Sequence, residues 1–536
     1  MVCAAKNKSE RRCEFDARDK VKNRPAERPH KTICKNSATF CLLSVYFAAK
    51  KLYNGNQDNT FPGNGRSTLR RNIVFEVTQM SYIGGYNPGL LRGVKHLHFI
   101  GIGGSGMYPL VQILNSRGYE ISGSDVNEGS IIDAERALGI TVYMGHDPQN
   151  VVGADMVIYS AAIHDDNPEL QEADARGIPT LERSVLLGYV SRLYPHSVCV
   201  AGTHGKTTTT CMITTMLELA GRDPAAVIGG KLPLIGGYGK AGTGSCIVVE
   251  ACEFAETFLR LTPHIAVLLN IDNDHLDYYG TMGQLKLAFK KFALMATNTI
   301  VANADDEGVI QVINSIDRNV RTFGIQKSAD YRATNIREYK PGFYEFDVLE
   351  WDNYYAHLCL AAPGYHNIYN ALAMVSCARV LGLEASAAEA AARSFAGAGR
   401  RFEILGEENG VTIADDYAHH PTEVAATLAT AKKLGFNKVW AVHQPFTYSR
   451  TRTLLHEFAE VLQAADRVVL TPIMGSREVD DGSVKSEDLA ALIPGCVTVP
   501  GLKEAADYIK ANAEPGDLVL TLGCGDVYKA ARMMLQ

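Results

Sequence analysis

The chain has 536 residues, 46% of them hydrophobic and 21% charged, which at roughly 100–200 residues per domain provides for about three domains with cores of their own. A net charge of −6 gives no reason to expect a nucleic-acid partner. The longest apolar run, residues 38–49, is about a dozen residues, well short of the ~20 that a helix needs to cross a bilayer, so no membrane span is expected.

The charge is unevenly placed. Residues 1–79 hold 16 Lys+Arg and 7 Asp+Glu, which leaves 37 and 52 for the acidic remainder. The first stretch mixes charges with Asn, Pro and Gly and has no sustained periodicity. It reads either as a disordered basic arm or as an over-long gene model with the true start at Met80. The run at 38–49 faintly resembles a signal-peptide core but sits late for one. Of the twelve cysteines none forms a C-x-x-C pair, and several, such as Cys199 and Cys246, lie in apolar runs. That usage fits a reducing, cytoplasmic setting better than a disulfide scaffold.

From residue 96 onward, short apolar strands alternate with helical stretches, the pattern of parallel α/β sheets. Strands are expected at 96–101, 120–125 and 156–160 in a first domain spanning 80–193. In a second domain, 194–396, strands at 197–201, 247–250 and 265–271 accompany helices at 208–220, 371–383 and 385–395. A third domain, 397–536, opens at a Gly397–Gly399 hinge and carries strands at 411–414, 438–442, 467–470 and 518–522. The fold class expected is α/β with three domains: a Rossmann-like first domain, a central P-loop ATPase-like domain with a mostly parallel sheet, and a Rossmann-like C-terminal domain.

The most informative string is Gly202-Thr203-His204-Gly205-Lys206-Thr207-Thr208, between an apolar strand and a helix. Backbone N–H groups of a glycine turn and a helix N-terminus converge on anionic oxygens, so the string suits a polyphosphate. Lys206 adds a cation for the outer phosphates, and the Thr207 hydroxyl can ligate Mg²⁺. The turn is tighter than the common G-x-x-x-x-G-K-[ST] spacing, because Val200 stands five residues before Gly205. Magnesium needs further ligands. Glu250 closes an apolar strand and His275 follows another, both at the sheet edge where α/β folds hold ligand groups. Asp272, Asp274 and Asp277 form an acidic cluster beside His275.

A second glycine loop, Gly101-Ile102-Gly103-Gly104-Ser105-Gly106, matches G-x-G-x-x-G between strand and helix, with Asp125 ending the next strand. It implies a nucleotide diphosphate on the helix N-terminus without saying which one, so an NAD-dependent dehydrogenase stays open at this point. In the third domain, Gly399-Arg400-Arg401-Phe402-Glu403, Asp415-Asp416-Tyr417-Ala418-His419-His420-Pro421 and Tyr448-Ser449-Arg450-Thr451-Arg452 gather carboxylates, imidazoles and guanidiniums. Such groups are costly to cluster without a bound partner, and arginine suits phosphates and carboxylates.

Taken jointly, these strings resemble the Mur ligase family, and within it the alanine-adding branch. The likeness is carried by HFIGIGGSGM, GTHGKTTTT, the Glu250 strand, NIDNDHLDYYG, GYHNIYNALA, GRRFE, DDYAHHPTE and YSRTR, and runs from about Gly93 to Gln536. The resemblance implies an ATP-dependent amide ligase of peptidoglycan precursor synthesis, joining L-alanine to UDP-N-acetylmuramate through an acyl phosphate. It implies UDP rather than NAD on the first glycine loop, with Gly101, Gly103, Gly104, Ser105, Gly106, Asp125 and Ser160 lining that site. It places ATP on Gly202, Thr203, His204, Gly205, Lys206, Thr207 and Thr208, with His366, Asn367, Arg401 and Asp416 reaching it. Magnesium falls to Thr207, Glu250 and His275, and catalysis to Lys206, His419 and Arg450, the last two facing the alanine. Two other readings remain: a ligase that adds a preformed tripeptide to the same sugar nucleotide, and a P-loop ATPase that is no ligase. Phe446 and Thr447 stand where many relatives carry a His-Arg pair or at least the His, which leaves more of the alanine carboxylate to Arg450. No oligomeric state follows from the sequence.

Overall fold

In the computed structural model, residues 89–536 are described, apart from Arg477 and the side chain of Asp277. The readings made for residues 1–79, including the run at 38–49, lie outside the described residues.

Three sheets follow one another along the chain. The first has strands β1 (His96–Ile100), β2 (Glu120–Asp125), β3 (Thr141–Met144), β4 (Met156–Tyr159) and β5 (Thr180–Glu182), all parallel, in the order β3-β2-β1-β4-β5. The order reverses beside β1, so the loop leaving β1 opens at the switch point where α/β sheets bind ligands.

The second sheet has ten strands: β6 (His196–Ala201), β7 (Ala225–Leu232), β8 (Gly237–Lys240), β9 (Cys246–Glu250), β10 (Ile265–Leu268), β11 (Thr299–Asn303), β12 (Val320–Gly324), β13 (Tyr331–Lys340), β14 (Phe343–Glu350) and β15 (Asn353–Cys359). Their order is β15-β14-β13-β12-β11-β10-β6-β9-β7-β8. The run from β13 through to β7 is parallel, while β8 at one edge and β14 and β15 at the other are antiparallel. Val198, Val200, Val248, Val249, Ile265 and Val267 are wholly buried, as expected of central strands covered on both faces. Each such side chain contributes roughly 1.5–3 kcal/mol by leaving water.

The third sheet comprises β16 (Glu403–Glu408), β17 (Val411–Asp416), β18 (Val439–His443), β19 (Arg467–Leu470), β20 (Val497–Thr498) and β21 (Leu518–Leu522), in the order β16-β17-β21-β18-β19-β20. Only β16 is antiparallel to its neighbour. All three sheets belong to one compact unit. The three-domain α/β architecture, with mostly parallel sheets, therefore matches the sequence expectation.

Several element ends differ from the sequence reading. The helix expected at 371–383 runs His366–Val380, with Ile368 buried and Asn367 holding the Pro363 carbonyl at 2.7 Å. Its first turn is polar because it lines a cavity, and this hides the helical period. The helix after the phosphate loop begins at Lys206, two residues before the expected start. Asp415 and Asp416 are the last residues of β17, not part of the loop beyond it.

Candidate active site

The phosphate loop leaves β6 at Gly202 and enters the helix Lys206–Leu219. Gly205 caps that helix at φ +81°, where a side chain is strained, and a Cβ there would lie 2.7 Å from the Asn370 carbonyl oxygen Oδ1. Glycine is thus required twice over. Asn270, just past β10, fixes the loop from the other side: its Oδ1 accepts the His204 amide at 2.7 Å and its amide donates to the His204 carbonyl at 3.1 Å. The His204 N–H is therefore already satisfied within the protein.

Lys206 folds back over the turn. Its Nζ donates to the Gly202 carbonyl at 2.6 Å and the Thr203 carbonyl at 3.0 Å, and pairs with Glu253 at 2.9 Å. Burial works against its charge, but Glu253 beside it outweighs burial and holds the pKa above the ordinary lysine value. The ammonium stays charged in a nearly dry place, which is what polyphosphate binding needs.

Thr207 and Glu250 meet as expected: the hydroxyl donates to Glu250 Oε1 at 3.1 Å, and the Gly229 amide donates to Oε2 at 2.8 Å. His275 sits on the Glu253 side of Lys206, its Nε2 3.9 Å from Glu253 and 3.6 Å from Asp274. The buried Nδ1 of His275 has no hydrogen-bond partner. Hydroxyl and carboxylate in contact on one side of the loop, and an imidazole with an uncommitted buried nitrogen on the Glu253 side, are donor types that a hard divalent cation takes.

Beside the loop lies a cavity of about 370 Å³, between the second and third sheets. His204, Gly205 and Thr208 line it together with His366, Asn367, Arg401 and Asp416, so seven of the expected nucleotide contacts share one space. Asn303, Asp306 and Tyr369 complete the wall on the middle-sheet side.

The third sheet presents its carboxyl edge to this space. The linker after the helix Ala385–Ser394 turns sharply, with Arg400 at φ +58° and Phe402 at φ +48°. Arg400 is consumed structurally, donating to Asp415 at 2.8 Å and to the Gly523 and Gly525 carbonyls. Arg401 points the other way, reaching the Thr207 hydroxyl at 3.4 Å. Asp416 accepts the amides of Phe402 (2.8 Å) and Ala418 (2.7 Å) and so pins the linker; burial pushes its pKa up to about 6 against the pull of Arg401 and those amides. His419 packs 3.2 Å from Glu423, with Nδ1 also 3.0 Å from the Tyr417 carbonyl. Arg450 pairs with Asp274 at 2.7 Å, both nearly buried. Burial raises the Asp274 carboxyl, but Arg450 and His275 outweigh it and hold its pKa well below the usual range. Thr447 caps the short helix Tyr448–Thr453 at φ +65° and accepts the Arg450 amide at 3.4 Å.

In the first domain the glycine loop follows β1 directly. Asp125 accepts the Gly103 amide at 3.0 Å, and Ser160 faces Gly101. A Cβ on Gly106 would meet the Arg183 guanidinium at 3.1 Å, which puts a cation over the loop.

Known proteins match the chain along all three sheets. Residues 96–194 match the Mur ligase family catalytic domain, 200–378 the Mur ligase middle domain, and 400–525 the Mur ligase glutamate ligase domain. A UDP-N-acetylmuramate–L-alanine ligase of Caldanaerobacter subterraneus subsp. tengcongensis is 41% identical over 452 residues, covering 83% of this chain and 98% of the relative. The chain belongs to the Mur ligase family. A second ligase of that name, from Acetivibrio thermocellus, is 42% identical over 82% of the chain and 96% of its own length. Among solved structures, the UDP-N-acetylmuramate–alanine ligase of Thermotoga maritima matches with a TM-score of 0.71 at 30% identity, covering 82% of the chain and 98% of that structure. A murein peptide ligase from Psychrobacter arcticus matches with a TM-score of 0.66 at 25% identity, over 83% and 98%.

Against this Mur ligase frame, sequence reasoning gave no role to Glu253, Asn270, Glu423 and Arg183, although Asn270 and Glu423 stand inside two of the strings that carry the resemblance. None stands in a glycine or lysine signature, and each meets a group far away in the chain, Glu423 holding the nearby His419 as well. The acidic string at 272–277 signalled Asp272 and Asp274 without showing their partners; the Asp277 side chain lies outside the described residues. Among the described residues, no helix is long and apolar enough to cross a membrane.

Proposed function

We propose that this chain is an ATP-dependent carboxylate–amine ligase that joins L-alanine to the lactyl carboxylate of UDP-N-acetylmuramate, making a precursor of peptidoglycan. The observation that carries the reading is the junction of the second and third sheets. There a charged Lys206, paired with Glu253, sits on a tight phosphate loop whose Thr207 meets Arg401 of the opposite domain, and Arg450 of that domain pairs with Asp274, in a chain that covers 98% and 96% of the length of two ligases of this name.

A carboxylate does not condense with an amine in water because oxide is a poor leaving group. In the proposed reaction a lactyl carboxylate oxygen attacks the γ-phosphorus of ATP, the bond to the bridging oxygen breaks, and ADP leaves. The alanine nitrogen then attacks the acyl carbon, the carbon–oxygen bond to the phosphoryl group breaks, and inorganic phosphate departs. Phosphoryl transfer of this kind needs alignment and charge compensation more than covalent help. Lys206 would turn from the Gly202 and Thr203 carbonyls to the outer phosphates, and Arg401 would meet the same charge from across the cleft. Thr207, Glu250 and His275 would hold Mg²⁺, which supplies positive charge on the phosphate oxygens when bound. His366 and Asn367 would line the nucleoside part of the cavity.

Gly101, Gly103, Gly104, Ser105, Gly106, Asp125 and Ser160 would cradle the UDP group, with Arg183 above its phosphates. Arg450 would take the alanine carboxylate, leaving Asp274 to do so, and His419 would accept the amine proton at Nε2. Closure of the third domain over the middle one keeps water from the acyl phosphate.

The experiment is a phosphate-release assay with UDP-N-acetylmuramate present, comparing L-alanine with a preformed tripeptide. Turnover with alanine supports the reading. Turnover with tripeptide alone assigns the chain to the murein peptide ligases, and release that needs no sugar nucleotide makes it a simple ATPase.

A further inference from the structure

His204 has a role that phosphate binding does not explain. Its amide and carbonyl are both held by Asn270, which turns the side chain out of the loop toward the domain junction. There Nε2 lies 2.9 Å from Asp272 of the middle domain, and Nδ1 lies 3.3 Å from Glu423 in the helix Pro421–Lys433 of the third. Each ring nitrogen faces a carboxylate, so each must carry a hydrogen, and an imidazole that donates from both nitrogens is an imidazolium. The surrounding bonds repeat the link. The Thr422 hydroxyl donates to Asp272 at 2.9 Å, and His420 lies 3.1 Å from the Asn273 carbonyl.

We propose that His204, as an imidazolium bridging Asp272 and Glu423, is a positioning residue that draws the third domain onto the phosphate loop, so that closing the active cleft takes up a proton. This rests on the ligase reading above and adds the element that couples its two halves.

Other charged groups around the ring agree. His420 stands 5.1 Å away ring to ring; burial and the charge of His204 lower its pKa, so it stays neutral. A neutral His420 donates from Nε2 to Asn273, while its Nδ1 accepts the Thr422 amide at 3.3 Å. Although His204, Asp272 and His420 bring ligand atoms within 4.8 Å of one another, their lone pairs are thereby committed, and the centre suits a proton rather than a metal. Glu423 is also bonded to His419 and lies 3.9 Å from Arg401; Asp306 adds negative charge near Asp272. Burial disfavours the charge on His204, but the hydrogen bonds to Asp272 and Glu423 outweigh it and push the pKa up to about 9 from the ordinary 6.5.

The sign follows. A group whose pKa is higher in the closed form favours closure fully below 6.5, and that preference is lost as pH rises through about 9.

The test uses small-angle X-ray scattering from pH 6 to pH 10 on the full chain, its His204→Gln variant and its Asp272→Asn variant. Circular dichroism melts confirm that each is folded. The parent is expected to be compact at pH 7 and to expand as pH passes about 9. Both variants should be expanded at pH 7 and insensitive to pH across that window. Their kcat/KM for phosphate release at pH 7 should fall by up to about a hundredfold, the coupling that a pKa moving from 6.5 to about 9 supplies there, while release still requires both UDP-N-acetylmuramate and alanine. Folded variants as compact as the parent at pH 7, or a parent whose size ignores pH, would overturn the proposal. Loss of the requirement for sugar nucleotide and alanine would instead strike the ligase reading itself.

Discussion

Arg401 of the third domain lies 3.4 Å from the Thr207 hydroxyl on the phosphate loop, a contact between residues 194 apart in the chain. It ties the phosphate loop to the domain that would hold the alanine. If that guanidinium compensates charge as the phosphoryl group moves, Arg401→Ala should lower kcat by about 10²–10³. The nucleotide KM should change much less. Steady-state phosphate release at saturating substrates checks this.

Lys206 carries both function and stability. Glu253, its partner at 2.9 Å, is 1% exposed. Lys206→Ala should abolish turnover and also strand a buried carboxylate, costing about 3–5 kcal/mol of stability. Adding Glu253→Gln should restore much of the stability and none of the turnover. Denaturant melts beside ADP-release assays separate the two effects.

The magnesium assignment predicts a sensitivity at Gly229. A Cβ there would fall 2.6 Å from Glu250 Oε1. Gly229→Ala should therefore displace the Glu250 carboxylate and raise the Mg²⁺ concentration for half-maximal rate about tenfold, equivalent to ~1.4 kcal/mol. Glu250→Gln should do the same or more. A magnesium titration of initial rate is the check.

Much of this site was legible because its signatures are local. Gly202 to Thr208 and Gly101 to Gly106 each combine strand, turn and helix within a short stretch, and backbone geometry alone ties such strings to phosphate. Asn270, Glu253 and Glu423 were not legible in the same way. Asn270 meets His204 across 66 residues and Glu423 meets it across 219, and nothing in a polar side chain's neighbours along the chain announces so distant a partner. The start of the His366 helix was missed for a related reason. Its first turn faces a cavity, so polar residues stand where a core-facing helix would show apolar ones. The buried strands were the easiest elements to see, since Val248, Val249 and Ile265 repeat apolar side chains on both faces.

Arg450 should show itself through alanine alone. Removing one charged donor to a carboxylate costs about 1.5–3 kcal/mol. Arg450→Ala should thus raise the alanine KM roughly ten- to a hundredfold with little change in the KM for ATP. The paired readout matters because Asp274 loses its partner in the same variant.

Asp416 gives a pH signature. Burial raises its pKa from 3.8 to about 6 in the folded chain. A carboxyl shifted upward contributes stability that is full below 3.8 and lost as pH rises through about 6. The loss should total about 2–3 kcal/mol at most. The difference in denaturant midpoint between the parent and Asp416→Ala, followed from pH 4 to pH 7, measures it.

The claim on which everything turns is that ATP's terminal phosphoryl group passes to an acid. Label both lactyl carboxylate oxygens of UDP-N-acetylmuramate with the heavy oxygen isotope, run the reaction with alanine, and weigh the inorganic phosphate by mass spectrometry. The account predicts a single heavy oxygen in each phosphate released. Phosphate carrying only light oxygen, formed while alanine is still incorporated, would contradict it.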